Sequence, residues 1–193
     1  VNGKATPLTP GSRFEYEVLD MFGRPWGQLW QEYNEKNMER PEEEDINPGV
    51  GDSYPRRLTR VNGALFFVAD DGTSGVELWK SDGTAAGTVR VADILPGTGH
   101  ANPQNLTDVN GTVYFRAFDA VAGLELWKSD GTAVGTARIA DTWPGAQGGL
   151  VSGELVPSGT GAFAFFIATD GVSGVELWRT GGTAATTNRL QDI

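Results

Sequence analysis

Glu77-Leu78-Trp79-Lys80-Ser81-Asp82-Gly83-Thr84 recurs letter for letter at residues 125–132, and in altered form as Glu176-Leu177-Trp178-Arg179-Thr180-Gly181-Gly182-Thr183. A chain that repeats eight residues verbatim uses one supersecondary unit several times over. A second marker sets the period. Asp45-Ile46-Asn47-Pro48-Gly49 is matched by Asp93-Ile94-Leu95-Pro96-Gly97 and by Asp141-Thr142-Trp143-Pro144-Gly145, so each step is 48 residues (93 − 45 and 141 − 93). Asp192-Ile193 follows after 51 (192 − 141), and the extra residues fall near Pro157-Ser158-Gly159-Thr160-Gly161.

Each unit reads as four short strands. In the first clear copy, residues 58–61 form one strand and Asn62-Gly63 is a two-residue hairpin signal. Residues 64–69 are an apolar run buried on both faces, and Asp70-Asp71-Gly72-Thr73-Ser74-Gly75 turns the chain. Residues 76–80 and 88–94 supply the last two strands, joined through Ser81-Asp82-Gly83-Thr84. Four strands in about 48 residues is the blade of a β-propeller. The sequence therefore predicts an all-β fold of about four such blades, the first degenerate.

Residues 1–44 fit the repeat poorly. Arg13-Phe14-Glu15-Tyr16-Glu17-Val18 alternates like a half-buried strand, whereas residues 28–40 suit either a helix or a strand echoing the Leu-Trp pair at Leu29-Trp30. The segment reads as a divergent first blade or as a docking element. Three arrangements stay open: a closed four-blade ring, blades of a larger ring completed by further sequence or another chain, and three blades with a non-blade leader.

Within the unit, Glu77 and Arg90, Glu125 and Arg138, and Glu176 and Arg189 are each 13 apart (90 − 77, 138 − 125, 189 − 176). Folding the third strand onto the fourth with Trp79 opposite Thr88 makes each a cross-strand ion pair. Trp79, Trp127 and Trp178 share the glutamate's face and are expected between blades. Asp93 and Asp141, at the ends of units, are expected to hold the inter-blade loops through backbone N–H groups.

The motif Glu-Leu-Trp-Lys-Ser-Asp-Gly-Thr, followed by Ala85-Ala86-Gly87-Thr88 and by Asp-Ile-x-Pro-Gly, resembles the bacterial ELWxxDGT repeat across residues 45–193. The third copy departs from it at Gly181 and at Thr186-Thr187. The resemblance implies a propeller-like, non-enzymatic module that is exported or carried on a bacterial surface. It brings no catalytic residues with it.

Composition narrows the function. A net charge of −10 and a pI near 4.5 oppose binding to nucleic acid or to an anionic membrane surface. The chain has no cysteine, which removes disulfides, thiolate catalysis and cysteine-based zinc sites. No apolar run reaches the ~18 residues of a membrane span. The sequence begins at Val1, which suits a processed chain or a fragment.

His100 is the single histidine and reads as a solvated loop residue. Asp70, Asp71, Asp82 and Asp119 are the carboxylates from which a hydrolytic pair could be drawn, but Asp-Gly is also the strongest hairpin signal. No cofactor is expected. A structural calcium is the minority reading, because no stretch has the alternating spacing of a calcium loop. The favoured function is a structural or binding module that offers a surface to other protein subunits. The alternative is a lectin-like module binding glycans through Trp143 and Trp26, since an exposed indole makes a sugar platform.

Overall fold

The computed structural model describes residues 45–145 and 147–191. The expectations for residues 1–44, Trp26 among them, and for Asp192-Ile193 lie outside the described residues. Within them are three four-stranded antiparallel sheets, each a simple meander in chain order. The first contains β1 (Arg56–Val61), β2 (Ala64–Asp70), β3 (Val76–Ser81) and β4 (Val89–Ala92). The second contains β5 (Gln104–Val109), β6 (Thr112–Asp119), β7 (Gly123–Ser129) and β8 (Ala137–Arg138). The third contains β9 (Leu150–Pro157), β10 (Ala164–Thr169), β11 (Val175–Thr180) and β12 (Asn188–Arg189).

The hairpins follow from local sequence. Asn62 and Gly63 have φ of 49° and 86°, and Asn110 and Gly111 have 52° and 81°. This is the left-handed pair that a two-residue hairpin of correct twist requires. The third sheet lacks Asn-Gly at this place. Its extra residues form a wider loop closed by the Ser158 N–H donating to the Phe163 carbonyl at 2.8 Å.

The second sheet is apolar on both faces because it is stacked between the other two. Phe66, Val68, Leu78 and Val91 on one face of the first sheet pack against Val113, Phe115, Ala117 and Trp127 of the second. Tyr114, Leu126 and Ile139, on the opposite face of the second sheet, pack against Ala164, Phe166, Ala168 and Trp178 of the third. Trp127 and Trp178 thus lie between sheets. Trp79 holds the same position on the first sheet, clustered with Phe67 and Ala69. The first strands of the three sheets, β1, β5 and β9, lie next to one another in sequence order.

The Asp-Gly-Thr turn is a closed hydrogen-bond circuit. Asp82 Oδ1 accepts from the Thr84 N–H at 2.9 Å and from its hydroxyl at 2.7 Å. Thr84 Oγ1 accepts from the Gly87 N–H, and Thr88 Oγ1 reaches both the Thr84 carbonyl and Ser81 Oγ at 2.7 Å. The second copy repeats every bond with Asp130, Thr132, Gly135, Thr136 and Ser129. Any Cβ on Gly87 or Gly135 would overlap the aspartate carboxylate. The third copy exchanges both partners: glycine stands at 181 in place of aspartate, and Thr186 in place of glycine. Thr186 Oγ1 then accepts from the Thr183 N–H at 3.2 Å.

The exchange predicts compensation. Gly135→Thr alone is expected to destabilise by about 2 kcal/mol through overpacking against Asp130. Gly135→Thr combined with Asp130→Gly is expected to recover most of that loss. Chemical denaturation of the single and double variants measures the coupling, and strict additivity would reject it.

Candidate functional site

The repeated glutamate is the most deeply buried charge-bearing group of each unit. Glu77 and Glu125 are 0% exposed. Glu77 accepts from the backbone N–H groups of Ile94 at 3.0 Å, Leu95 at 3.3 Å and Ala101 at 3.4 Å. These belong to the connection that leaves β4 and enters the second sheet. Glu125 has the same role in the following unit. It accepts from the Thr142 hydroxyl at 3.0 Å and from the Gly149 N–H at 2.7 Å. The adjoining backbone is tied down as well. Phe118 donates to the Ala101 carbonyl and Thr169 to the Gly149 carbonyl, both at 2.8 Å.

Burial pushes Glu77 up to about 7, against the opposing pull of the N–H groups of Ile94, Leu95 and Ala101. Burial raises Glu125 as well. Asp82 and Asp130 move the other way. The hydroxyl and N–H of Thr84 and of Thr132 hold their carboxyls below the usual range.

The expected Glu/Arg ion pairs do not form in that register. Arg90 lies opposite Trp79, Arg138 opposite Trp127 and Arg189 opposite Trp178. Thr88 is bound into the turn beside Ser81, so the hairpin closes two residues later than Trp79 opposite Thr88 would require. The arginines reach aspartates instead. Arg138 pairs with Asp119 at 2.8 Å, Arg189 with Asp170 at 3.8 Å, and Arg90 with Asp93 at 3.5 Å and Asp71 at 4.0 Å.

The sequence reading missed the structural role of Asp71, Asp119 and Asp170. The signal was present, since they recur at steps of 48 and 51 (119 − 71 and 170 − 119). One oxygen of each caps the turn between the second and third strands. Asp71 accepts from the Thr73 and Ser74 N–H groups, Asp119 from Val121 and Ala122, and Asp170 from Val172 and Ser173. The other oxygen faces the arginine.

The expectation for Asp93 and Asp141 is also corrected. Among the described residues, neither carboxylate accepts a backbone N–H. Asp93 faces Arg90, and Asp141 Oδ1 is buried without a hydrogen-bond partner. Glu77 and Glu125 do the holding, because the longer side chain reaches across the sheet end to the connecting segment.

The two tryptophans proposed as sugar platforms have separate outcomes. Trp143 is half-buried with its indole laid on the turn at Gly171, where any Cβ would overlap the ring. Trp26 is outside the described residues. His100 is exposed yet engaged, its Nδ1 accepting from the Val76 N–H at 2.9 Å.

One open cleft of about 470 Å³ lies between the first two sheets, lined by Leu95, Pro96, Val121, Trp127, Arg138 and Asp119 among others. Its sole carboxylate, Asp119, is the ion-pair partner of Arg138. Trp143 stands at the repeat position of Leu95, and in the next interface its indole covers the corresponding turn. Among the described residues no group of three His, Asp or Glu side chains is placed to hold a metal ion. No helix there is long and apolar enough to cross a membrane.

The outward face of the third sheet has no packing partner among the described residues. Val156, Val175, Leu177 and Leu190 are all exposed there. Phe163 and Phe165 meet edge to face beside them, with the Arg179 guanidinium over the Phe163 ring. No protein-family model, no curated protein and no solved structure matches the chain.

Proposed function

We propose that this chain is a non-enzymatic scaffold module, built of ELWxxDGT-type propeller blades, which works as a subunit of a larger exported or cell-surface assembly in bacteria. The observation that carries the reading is the exposed apolar face of the third sheet. Exposed apolar side chains gathered on one sheet face mark a contact with another macromolecule. The internal chemistry supports it. The repeated carboxylates serve structure: Glu77 and Glu125 hold connections, Asp82 and Asp130 close turns, and Asp71, Asp119 and Asp170 face arginines. The cleft beside Trp127 offers one carboxylate, where acid–base hydrolysis uses two.

The absence of cysteine makes the test direct. A single Leu177→Cys substitution places a unique thiol on the face. Labelling with a charged maleimide is compared between the purified chain and intact cells that produce it. Protection on the cell of tenfold or more is the expected result. Equal labelling in both settings overturns the scaffold reading.

A further inference from the structure

The two inter-sheet interfaces are copies of one another, and they dictate what a third would look like. The face carrying Phe66, Leu78 and Val91 receives the tryptophan face of the second sheet. The face carrying Tyr114, Leu126 and Ile139 receives the tryptophan face of the third. The incoming turn seats on the same spot each time. A Cβ on Gly131, the glycine of the second Asp-Gly-Thr turn, would lie 3.1 Å from Phe66 Cζ. Gly182, its counterpart in the third sheet, abuts the Tyr114 hydroxyl. The repeat register places Phe165 at the position of Phe66 and Tyr114, because Ala69, Ala117 and Ala168 sit opposite Glu77, Glu125 and Glu176.

On the third sheet the receiving face is present and its occupant is not among the described residues. Leu78 and Leu126 are 0% and 3% exposed, while Leu177 at the same position is 40% exposed. Val91 and Ile139 are 5% and 3% exposed, against 42% for Leu190. Only burial changes at these positions, for the side chains stay apolar.

We infer that the outward face of the third sheet docks a further repeat of this same class, presenting its tryptophan face with an Asp-Gly-Thr turn seated on Phe165, and that this repeat comes from outside the present 193 residues. The inference rests on the scaffold reading and names its partner. Two nearer sources fit less well. A second copy would have to offer the tryptophan face of its first sheet, but Phe67 and Trp79 there are already down to 5% and 8% exposure. Residues 1–44 have a Leu29-Trp30 pair, but Asn34 stands four residues after the tryptophan, where Gly131 and Gly182 follow Trp127 and Trp178.

The test extends the full chain. Asp192-Ile193 repeats Asp93-Ile94, so a copy of residues 95–142 appended after Ile193 continues the array in register. The Leu177→Cys thiol is carried as the reporter. A control extension has the glycine equivalent to Gly131 changed to valine and the tryptophan equivalent to Trp127 changed to lysine. The inference expects maleimide labelling of Cys at 177 to slow at least tenfold with the first extension, and to remain at the parent rate with the control. It also expects binding of a hydrophobic dye to fall below that of the parent chain.

Labelling that stays at the parent rate overturns the inference, whether the appended repeat is folded or disordered by circular dichroism. So does a parent chain that runs as a dimer in sedimentation with its own thiol protected, since the occupant is then a second copy. Failure here is distinct from failure of the scaffold reading. In the first case the thiol is protected on cells but reactive in the extended chain. In the second it is reactive on cells.

Discussion

Glu77→Ala is expected to lower the melting temperature by about 10 °C. The substitution leaves the N–H groups of Ile94, Leu95 and Ala101 without their acceptor in a buried setting. Unpaired buried donors cost about 1–3 kcal/mol each, so a total near ~4 kcal/mol is the physical expectation. In a chain of this size each kcal/mol is worth about 2–4 °C. Glu77→Gln keeps one acceptor and is expected to lose less than half as much. Thermal unfolding followed by circular dichroism ranks the three proteins, and an alanine variant within 2–3 °C of the parent would refute the role given to Glu77.

The same residue sets a pH dependence. Its folded value is about 7, and its ordinary value is 4.5. Between those values the folded chain holds a proton that the unfolded chain has released. Stability is therefore greatest below pH 4.5 as far as this group is concerned, and it falls as pH rises through 7. The slope approaches about 1.4 kcal/mol per pH unit for one such proton. Glu125 shifts in the same direction and adds to it. Glu77→Gln should flatten the dependence between pH 5 and 7 without abolishing it.

Phe115→Ala is the second large effect. Phe115 is 0% exposed and stands in the core between the first two sheets, among Leu78, Val68 and Ala117. Removing a phenylalanine from such a site costs about 3–5 kcal/mol, made up of lost transfer energy and the cavity left behind. Phe118, three residues along the same strand, is 39% exposed and serves as the control. Phe118→Ala should stay within about 1 kcal/mol of the parent. Equal losses at the two positions would mean that the sheets are not held by this core.

Much of the fold was legible because the repeats fix it at several levels at once. Asn62-Gly63 and Asn110-Gly111 mark the hairpins, and the apolar run over residues 64–69 announces burial on both faces. The pairing across the third and fourth strands was not legible. Counting 13 residues from Glu77 to Arg90 places them opposite only if Thr88 lies in the strand. Thr88 belongs to the turn, where its hydroxyl bonds Ser81 and Thr84. A side-chain bond of this sort leaves no mark in residue spacing. The partner of the glutamate was hidden for a related reason, since backbone N–H groups carry no sequence signature. The aspartate partners of the arginines were readable from their recurrence. The open face of the third sheet was not, because Leu177 and Leu190 look no different in sequence from their buried counterparts.

The glutamate anchors also bear on how the chain acquires its shape in time. Each ties a strand to backbone only 17 to 24 residues further along. Closing a loop of that length costs little entropy, and the cost grows only slowly with length. Contacts of short sequence separation are made early and fast. A sheet that has formed therefore positions the segment from which the next one starts, and structure spreads along the chain from neighbour to neighbour, as in other arrays whose units contact only adjacent units.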